Sequence, residues 1–396
     1  MRLIHTSDWH LGRTLHGESL LDYQADFLDW LAGEAVARRA DAVLVAGDIY
    51  DRAVPPVDAV ALLDSALTAF ARAAIPVLLT SGNHDSAVRL GFGSGLSEAA
   101  GIHLRTRAAD LDRPVLLADD AGPLAVYGIP YLLPDAVLAE LGAERSHASV
   151  LAAAARRIRA DAAARGIGRV VIAAHAFITG TAAAAISESE RDIRVGGVAH
   201  APASVFGEVS YVALGHLHGQ QQVAAGASEP GGSGPLVRYS GSPLAFSFSE
   251  SGHRKSVTLV DIDAVGRATA TLLAAPVPRP LREVRGRLDD LLARAGGELA
   301  DLAGAWVKVV LTDPARPAAP MERLREHWPH VIALDFQPDG GLVSARADLA
   351  ALAQATDPVA ICELFTQYAG GAAPDAAERQ VLADAVEAAQ RAEAAA

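Results

Sequence analysis

The chain has 396 residues, 51% of them apolar, a single cysteine and a formal net charge of −13. That length exceeds what one hydrophobic core usually supports, so two or three domains are expected. The lone Cys362 excludes an internal disulfide and a CxxC metal site, and the acidic balance excludes a simple basic DNA binder that relies on counterion release. No apolar run approaches the roughly 18 to 20 residues of a membrane span, and the N-terminus enters a strand pattern without a basic and apolar leader. A cytoplasmic, nucleoid-associated location and no membrane partner are therefore expected.

In chain order, Leu3 to Thr6 reads as a strand, and Glu18 to Arg38 as a helix with Leu20, Leu21, Phe27, Leu28, Leu31 and Val36 at helical spacing. Ala42 to Ala46 is apolar throughout, as a buried parallel strand should be. Pro55-Pro56 opens a helix running to about Arg72. Further strands are expected at Val77 to Thr80, Val170 to Ala174 and Tyr211 to Leu214, and the alternation with helices implies a mainly parallel sheet covered on both faces. After a Gly, Ser and Pro insertion at Ala224 to Pro235, three strands follow at Val237 to Ser240, Ser256 to Ile262 and Ala268 to Leu273. They are expected to extend the sheet or pair as a second one. Pro276 to Pro280 opens a new pattern of strand, helix near Leu288 to Leu302, strand Trp306 to Leu311, helix near Met321 to Trp328 and strand Val331 to Phe336. Two amphipathic helices close the chain, about Val359 to Tyr368 and Asp375 to Ala394. The expected boundaries are 1–275 for the first domain, 281–346 for a small α/β domain and 357–396 for a helical tail.

The informative feature is a series of polar motifs just past the strand ends: Asp8-x-His10, Gly47-Asp48, Gly82-Asn83-His84-Asp85, Ala174-His175 and Gly215-His216-x-His218. In an open α/β sheet, groups beyond the carboxyl ends of strands converge, so carboxylate, imidazole and amide should meet in one cluster. Asp8 and His10 can address one ion, with His218 returning to it, while Asp48 bridges to a second ion held by Asn83, His175 and His216. Such a nitrogen and oxygen set without thiolate favours Mn²⁺ and admits Fe²⁺, Co²⁺ or Zn²⁺. His84, next to a ligand, is placed to act on a scissile phosphate, and Asp51 is expected to orient its imidazole by a hydrogen bond. Arg13, His16 and Arg89 are candidates for the substrate mouth. Ile361, Leu364, Phe365 and Tyr368 form one apolar stripe on the first tail helix, suited either to its own domain or to a partner.

This order of motifs resembles the calcineurin-like metallophosphoesterases. More narrowly, His5-Thr-Ser-Asp-Trp-His-Leu-Gly12, Ala46-Gly-Asp-Ile-Tyr-Asp51, Ser81 to Ser86, Tyr211 to His218, Tyr239 to Pro243 and Ser247-Phe-Ser-Glu250 are similar to the SbcD family of bacterial nuclease subunits. The resemblance implies a two-sheet sandwich flanked by helices, an α/β capping domain that touches DNA and C-terminal helices. It also implies a Mn²⁺-dependent 3′ to 5′ exonuclease on duplex DNA and an endonuclease on single strands and hairpins, acting in repair, recombination and replication. The implied partner is the SbcC ATPase, two copies with two of this chain, docked on the tail. Self-association would run through the helices near Pro56 to Arg72 and Ser86 to Ala99. The family's archaeal and eukaryotic branches carry histidine where this chain has Asp51, so a second catalytic imidazole is not implied. Two other functions compete: a phosphatase or phosphodiesterase for a small phosphoester on the same scaffold, and a non-catalytic scaffold.

Overall fold

The computed structural model describes residues 1–180, 186–190, 200–224, 234–338, 357–370 and 373–394; for residues 367–370, 390 and 392–394 it describes backbone alone. Most of the 224–235 insertion, the end of the expected capping domain beyond 338 and the side chain of Tyr368 lie outside the described residues. The chain divides into two compact units, Met1–Pro278 and Arg279–Ala396.

The first unit carries two six-stranded sheets. In the first, the order is Ala268–Ala274, Ser256–Ile262, Arg2–Thr6, Ala42–Ala46, Val77–Thr80 and Ile102–Arg105. The four strands from Arg2–Thr6 onward run parallel, and the two late strands join antiparallel. The second sheet runs Gln221–Val223, Leu236–Tyr239, Tyr211–Gly215, Arg169–His175, Gly122–Ile129 and Val115–Asp119, parallel except at its outer pairs. The sandwich is the one expected, but the late strands are shared differently. Leu236–Tyr239 completes the second sheet, whereas Ser256–Ile262 and Ala268–Ala274 extend the first, because Arg2–Thr6 would otherwise present a bare hydrogen-bonding edge.

Side-chain alternation along the strands explains the layering. Leu3, Leu44 and Leu78 meet Val126, Val171 and Tyr211 in a core between the sheets. Their neighbours Ile4, Val43, Val45, Val77 and Leu79 face the other way, onto Phe27, Leu28 and Leu31 of the helix Leu21–Ala37 and Leu63 and Phe70 of Val57–Arg72. On the second sheet Tyr127, Ile172, Val212 and Leu214 pack under Val150, Leu151 and Ile158 of His147–Ala164. With both faces of each sheet buried, the central strands are mainly apolar, and a Leu44→Ala change would cost about 2 to 5 kcal/mol.

In the second unit, three parallel strands, Leu281–Gly286, Trp306–Leu311 and Val331–Phe336, close over Leu291, Val309, Leu324 and Trp328. The helix expected over Leu288 to Leu302 stops at Arg294; its Gly296-Gly297 pair follows at once, and a 3₁₀ turn takes Ala300–Gly304. The tail forms the helices Pro358–Gly370 and Ala376–Ala394. Reciprocal bonds of Asp375 and Glu378, each carboxylate accepting the other's N–H at 2.9 Å, set the start of the second helix. Among the described residues, no helix is long and apolar enough to cross a membrane.

Candidate metal centre

Parallel strands end on the same side, so the loops after Thr6, Ala46, Thr80, His175 and Gly215 open on one edge of the sandwich. Bonds between those loops fix the edge: Asp8 N–H donates to the Gly47 carbonyl at 3.0 Å, His10 N–H to the Asp48 carbonyl at 3.0 Å, and His175 Nδ1–H to the Ala46 carbonyl of the opposite sheet at 2.9 Å. Asp85, to which sequence reasoning gave no role, ties two of them. Its carboxylate accepts from the main chain of Ile49, Tyr50 and Gly82 at 2.8 to 3.0 Å. The crossing leaves no room for side chains at two glycines: a Cβ at Gly47 would meet the His175 ring, and one at Gly82 the Asp48 carboxylate.

All seven ligand candidates meet here. Asp8, His10 and His218 place one donor atom each within 4.8 Å of one another, as do Asp8, Asp48 and His175. Asn83 Oδ1 lies 2.9 Å from His175 Nε2 and 3.2 Å from His216 Nδ1, and His10 Nε2 lies 3.2 Å from His218 Nε2. Asp8, His10, Asp48 and His216 all have positive φ, 54°, 45°, 50° and 115°. Such strain in non-glycine residues persists only where surrounding contacts enforce it, and it gathers at functional sites.

Electrostatics favour the ligating protonation states of the imidazoles. Burial lowers the pKa of His175 and His218, that of His10 to about 4 and that of His216 to about 3, so these rings are neutral near pH 7. Burial and the Asp48 charge push Asp8 well up, whereas for Asp48 the surrounding His175, His10 and His84 outweigh its own burial and hold it low. The geometry also fits a cation. Since His175 Nδ1–H is committed to the Ala46 carbonyl, its Nε2 carries only a lone pair, yet it faces another acceptor, Asn83 Oδ1. A positive ion between the two resolves that opposition, and Asn83 Nδ2 itself is buried without a partner. A set of carboxylates, imidazoles and an amide oxygen suits divalent transition ions.

His84 stands beside this cluster, its ring edge-on to His10 with centroids 4.7 Å apart. Its Nδ1 does bond Asp51, but to the main-chain carbonyl at 2.8 Å and not to the carboxylate expected from sequence. The carboxylate is drawn instead to the permanent charge of Arg13, whose Nη1 lies 3.2 Å away, and it lies 3.6 Å from His10 Nδ1. Arg13 is further held by the Ser189 carbonyl at 3.4 Å and sits 4.9 Å from the Phe246 ring. His16 rests beside Phe248, at 5.4 Å between rings, and the Arg89 guanidinium donates to the Ala53 carbonyl at 2.9 Å. Of the three mouth candidates, Arg13 alone is linked to the residues of the cluster. Sequence reasoning also assigned nothing to Ser189, Glu190 and Lys255, which surround His218 together with Glu250. The scarcity of lysine, present only at Lys255 and Lys308, was the available signal.

Comparison with known proteins agrees with this geometry. The family model described as calcineurin-like phosphoesterase matches residues 1–220, and one described as type 5 capsule protein repressor C-terminal domain matches 277–368. The chain is 35% identical over 336 residues to the SbcD subunit of nuclease SbcCD from Rhodobacter capsulatus, covering 81% of this chain and 78% of that one. It is 37% identical over 287 residues to the protein of the same name in Bacillus subtilis, covering 68% of each. The two-sheet sandwich with its ring of donors at one edge is that of a metal-dependent phosphodiester hydrolase, and the chain belongs to the calcineurin-like phosphoesterases. Within that class it belongs to the SbcD family of SbcCD nuclease subunits and is a metal-dependent nuclease.

Proposed function

We propose that this chain is the nuclease subunit of an SbcCD-type complex, cutting DNA with two Mn²⁺ ions. The convergence of seven donors from both sheets on one edge of the sandwich carries the reading. Asp8, His10 and His218, which lie within reach of one another, would hold one ion, Asn83, His175 and His216 the other, and Asp48 both. When bound, the ions would polarise the scissile phosphate and supply an activated water.

The chain's own groups do the rest. The Asp51 carbonyl accepts from His84 Nδ1–H and fixes the ring, so that the doubly protonated imidazolium would donate its Nε2 proton to the leaving oxygen. The Asp51 carboxylate acts on Arg13, which is thereby aimed as a phosphate contact, with His16 and Arg89 further along the mouth. We assign residues 1–275 to the nuclease domain, 281–346 to a DNA-touching cap and 357–396 to a tail that docks on the SbcC ATPase. Exposure of Phe365 (57%) and Val381 (66%) supports the docking. Self-association through the helical region 56–99 is supported by Val57, Val88, Phe92 and Leu96, each at least 82% exposed. The assembly is two copies with two of SbcC, in the cytoplasm on the nucleoid. The substrates are duplex ends, cut 3′ to 5′, and single strands and hairpins, cut internally.

The test is cleavage of labelled hairpin DNA with Mn²⁺ or Mg²⁺, alone and with the ATPase, beside p-nitrophenyl phosphate esters. Manganese-dependent DNA cleavage lost in Asp8→Ala is expected; turnover of the small esters with intact hairpin would overturn the nuclease reading in favour of a phosphatase.

A further inference from the structure

His218 is gripped on every polar atom but one. Its main-chain N–H donates to Glu190 Oε1 at 2.8 Å, and its carbonyl accepts from Lys255 Nζ at 3.0 Å and from the Ser242 N–H at 3.2 Å. On the ring, Nδ1 lies 2.6 Å from Ser189 Oγ, which is itself 2.5 Å from Glu250 Oε1. Only Nε2 is left to face His10.

The hydrogen inventory of this chain of atoms is determinate. A hydroxyl has one hydrogen and an ionised carboxylate has none, so the Ser189 hydrogen goes to Glu250. The other neighbour of that hydroxyl, Ser187 Oγ at 2.9 Å, is a weaker acceptor than the carboxylate, and it has its own carboxylate partner in Glu190. Ser189 Oγ therefore faces His218 as an acceptor, the ring proton sits on Nδ1, and Nε2 presents its lone pair. Glu250 is kept ionised by Lys255, which also bonds Ser242 Oγ at 2.8 Å. Both ion-pair side chains are buried, at 0% and 3% exposure. Burying such a pair seldom stabilises a fold relative to apolar residues of the same volume, so its position behind one imidazole calls for a role at that imidazole.

We propose that Glu250, acting through the Ser189 hydroxyl and held ionised by Lys255, is a positioning residue that sets the tautomer and aim of His218. This rests on the reading of His218 as a metal ligand. The other buried ligand imidazole with a defined tautomer, His175, is set by the Ala46 carbonyl, which no substitution removes; at His218 the same task falls to side chains. Partners of this kind typically change metal affinity 10- to 100-fold.

Glu250→Gln would leave Lys255 buried without its counter-charge and could unfold the chain, so the test uses Ser189→Ala, with Ser189→Thr restoring the hydroxyl. Two measurements are made on the full chain: Mn²⁺ titration calorimetry, and ¹⁵N spectroscopy of the histidine rings without metal, with His218→Gln identifying the signal. In Ser189→Ala one binding event should weaken about 10- to 100-fold and the other hold, the His218 ring should lose its uniform Nδ1–H form, and Ser189→Thr should recover both. Wild-type Mn²⁺ affinity and an unchanged His218 tautomer in Ser189→Ala would overturn the proposal alone. Wild-type protein that takes up no Mn²⁺ would overturn the metal reading as well.

Discussion

The main-chain N–H of His84 donates to Asp48 Oδ1 at 2.9 Å, so the backbone of His84 holds Asp48, while its imidazole bonds the Asp51 carbonyl of the same loop. His84→Ala should therefore leave Asp48 and its neighbours in place. Hairpin cleavage is expected to fall by about 10² to 10⁴, the range of a lost general acid, while Mn²⁺ uptake measured by calorimetry is retained. Loss of uptake would make His84 a ligand or a structural residue.

Gly47 and Gly17 separate strain from collision. Both have positive φ, 81° and 91°, but a Cβ at Gly47 lands on the His175 ring, whereas none of the described atoms lies within 4 Å of one at Gly17. Gly17→Ala is expected to cost about 1 to 2 kcal/mol in urea unfolding with metal uptake intact. Gly47→Ala should abolish uptake at the ion served by His175, and equal behaviour of the two variants would refute the crossing of the loops at the metal edge.

His5 predicts an acid dependence of stability away from the metal cluster. Its ring is buried between the Tyr211 hydroxyl at 2.9 Å and the Leu214 carbonyl at 3.1 Å, and burial lowers its pKa to about 3. Between the ordinary value of about 6.5 and that pH, the unfolded chain binds a proton that the folded chain does not, so stability rises with pH across the window. The contribution is present above pH 6.5 and is lost as pH falls, at about 1.4 kcal/mol per unit. Urea midpoints at pH 7 and 5 should show a shallower slope in His5→Gln than in wild type; parallel slopes would show that His5 carries none of the dependence.

Deletion of 357–396 should leave Mn²⁺-dependent cleavage of hairpin DNA intact and prevent co-purification with the SbcC ATPase. Retained association would move the docking surface elsewhere on the chain.

The site was legible in the sequence because each donor lies just past an apolar strand, and parallel strands deliver their succeeding loops to one edge. Asp8, Asp48 and Asn83 follow strands of one sheet, and His175 and His216 come from the other, an arrangement that alternation and motif spacing encode directly. Less legible was anything depending on a choice between near-equal partners. Whether Ser256–Ile262 pairs with Arg2–Thr6 or with the second sheet depends on which edge is bare, a property of the assembled fold. The Asp51 carbonyl competes with its own carboxylate for His84, and Arg13, 38 positions earlier, decides the outcome. The grip on His218 draws on Ser189, Glu190, Glu250 and Lys255, which share no spacing that a one-dimensional pattern could reveal.

Arg2–Thr6 lies in the interior of its sheet, flanked by Ala42–Ala46 and by Ser256–Ile262, with Arg2 opposite Asp261. Arg2–Thr6 thus takes one of its two neighbours from a strand that follows His218, the last of the seven donors, in the chain. A truncation just after His218 would keep every donor and still leave Arg2–Thr6 with an unpaired hydrogen-bonding edge.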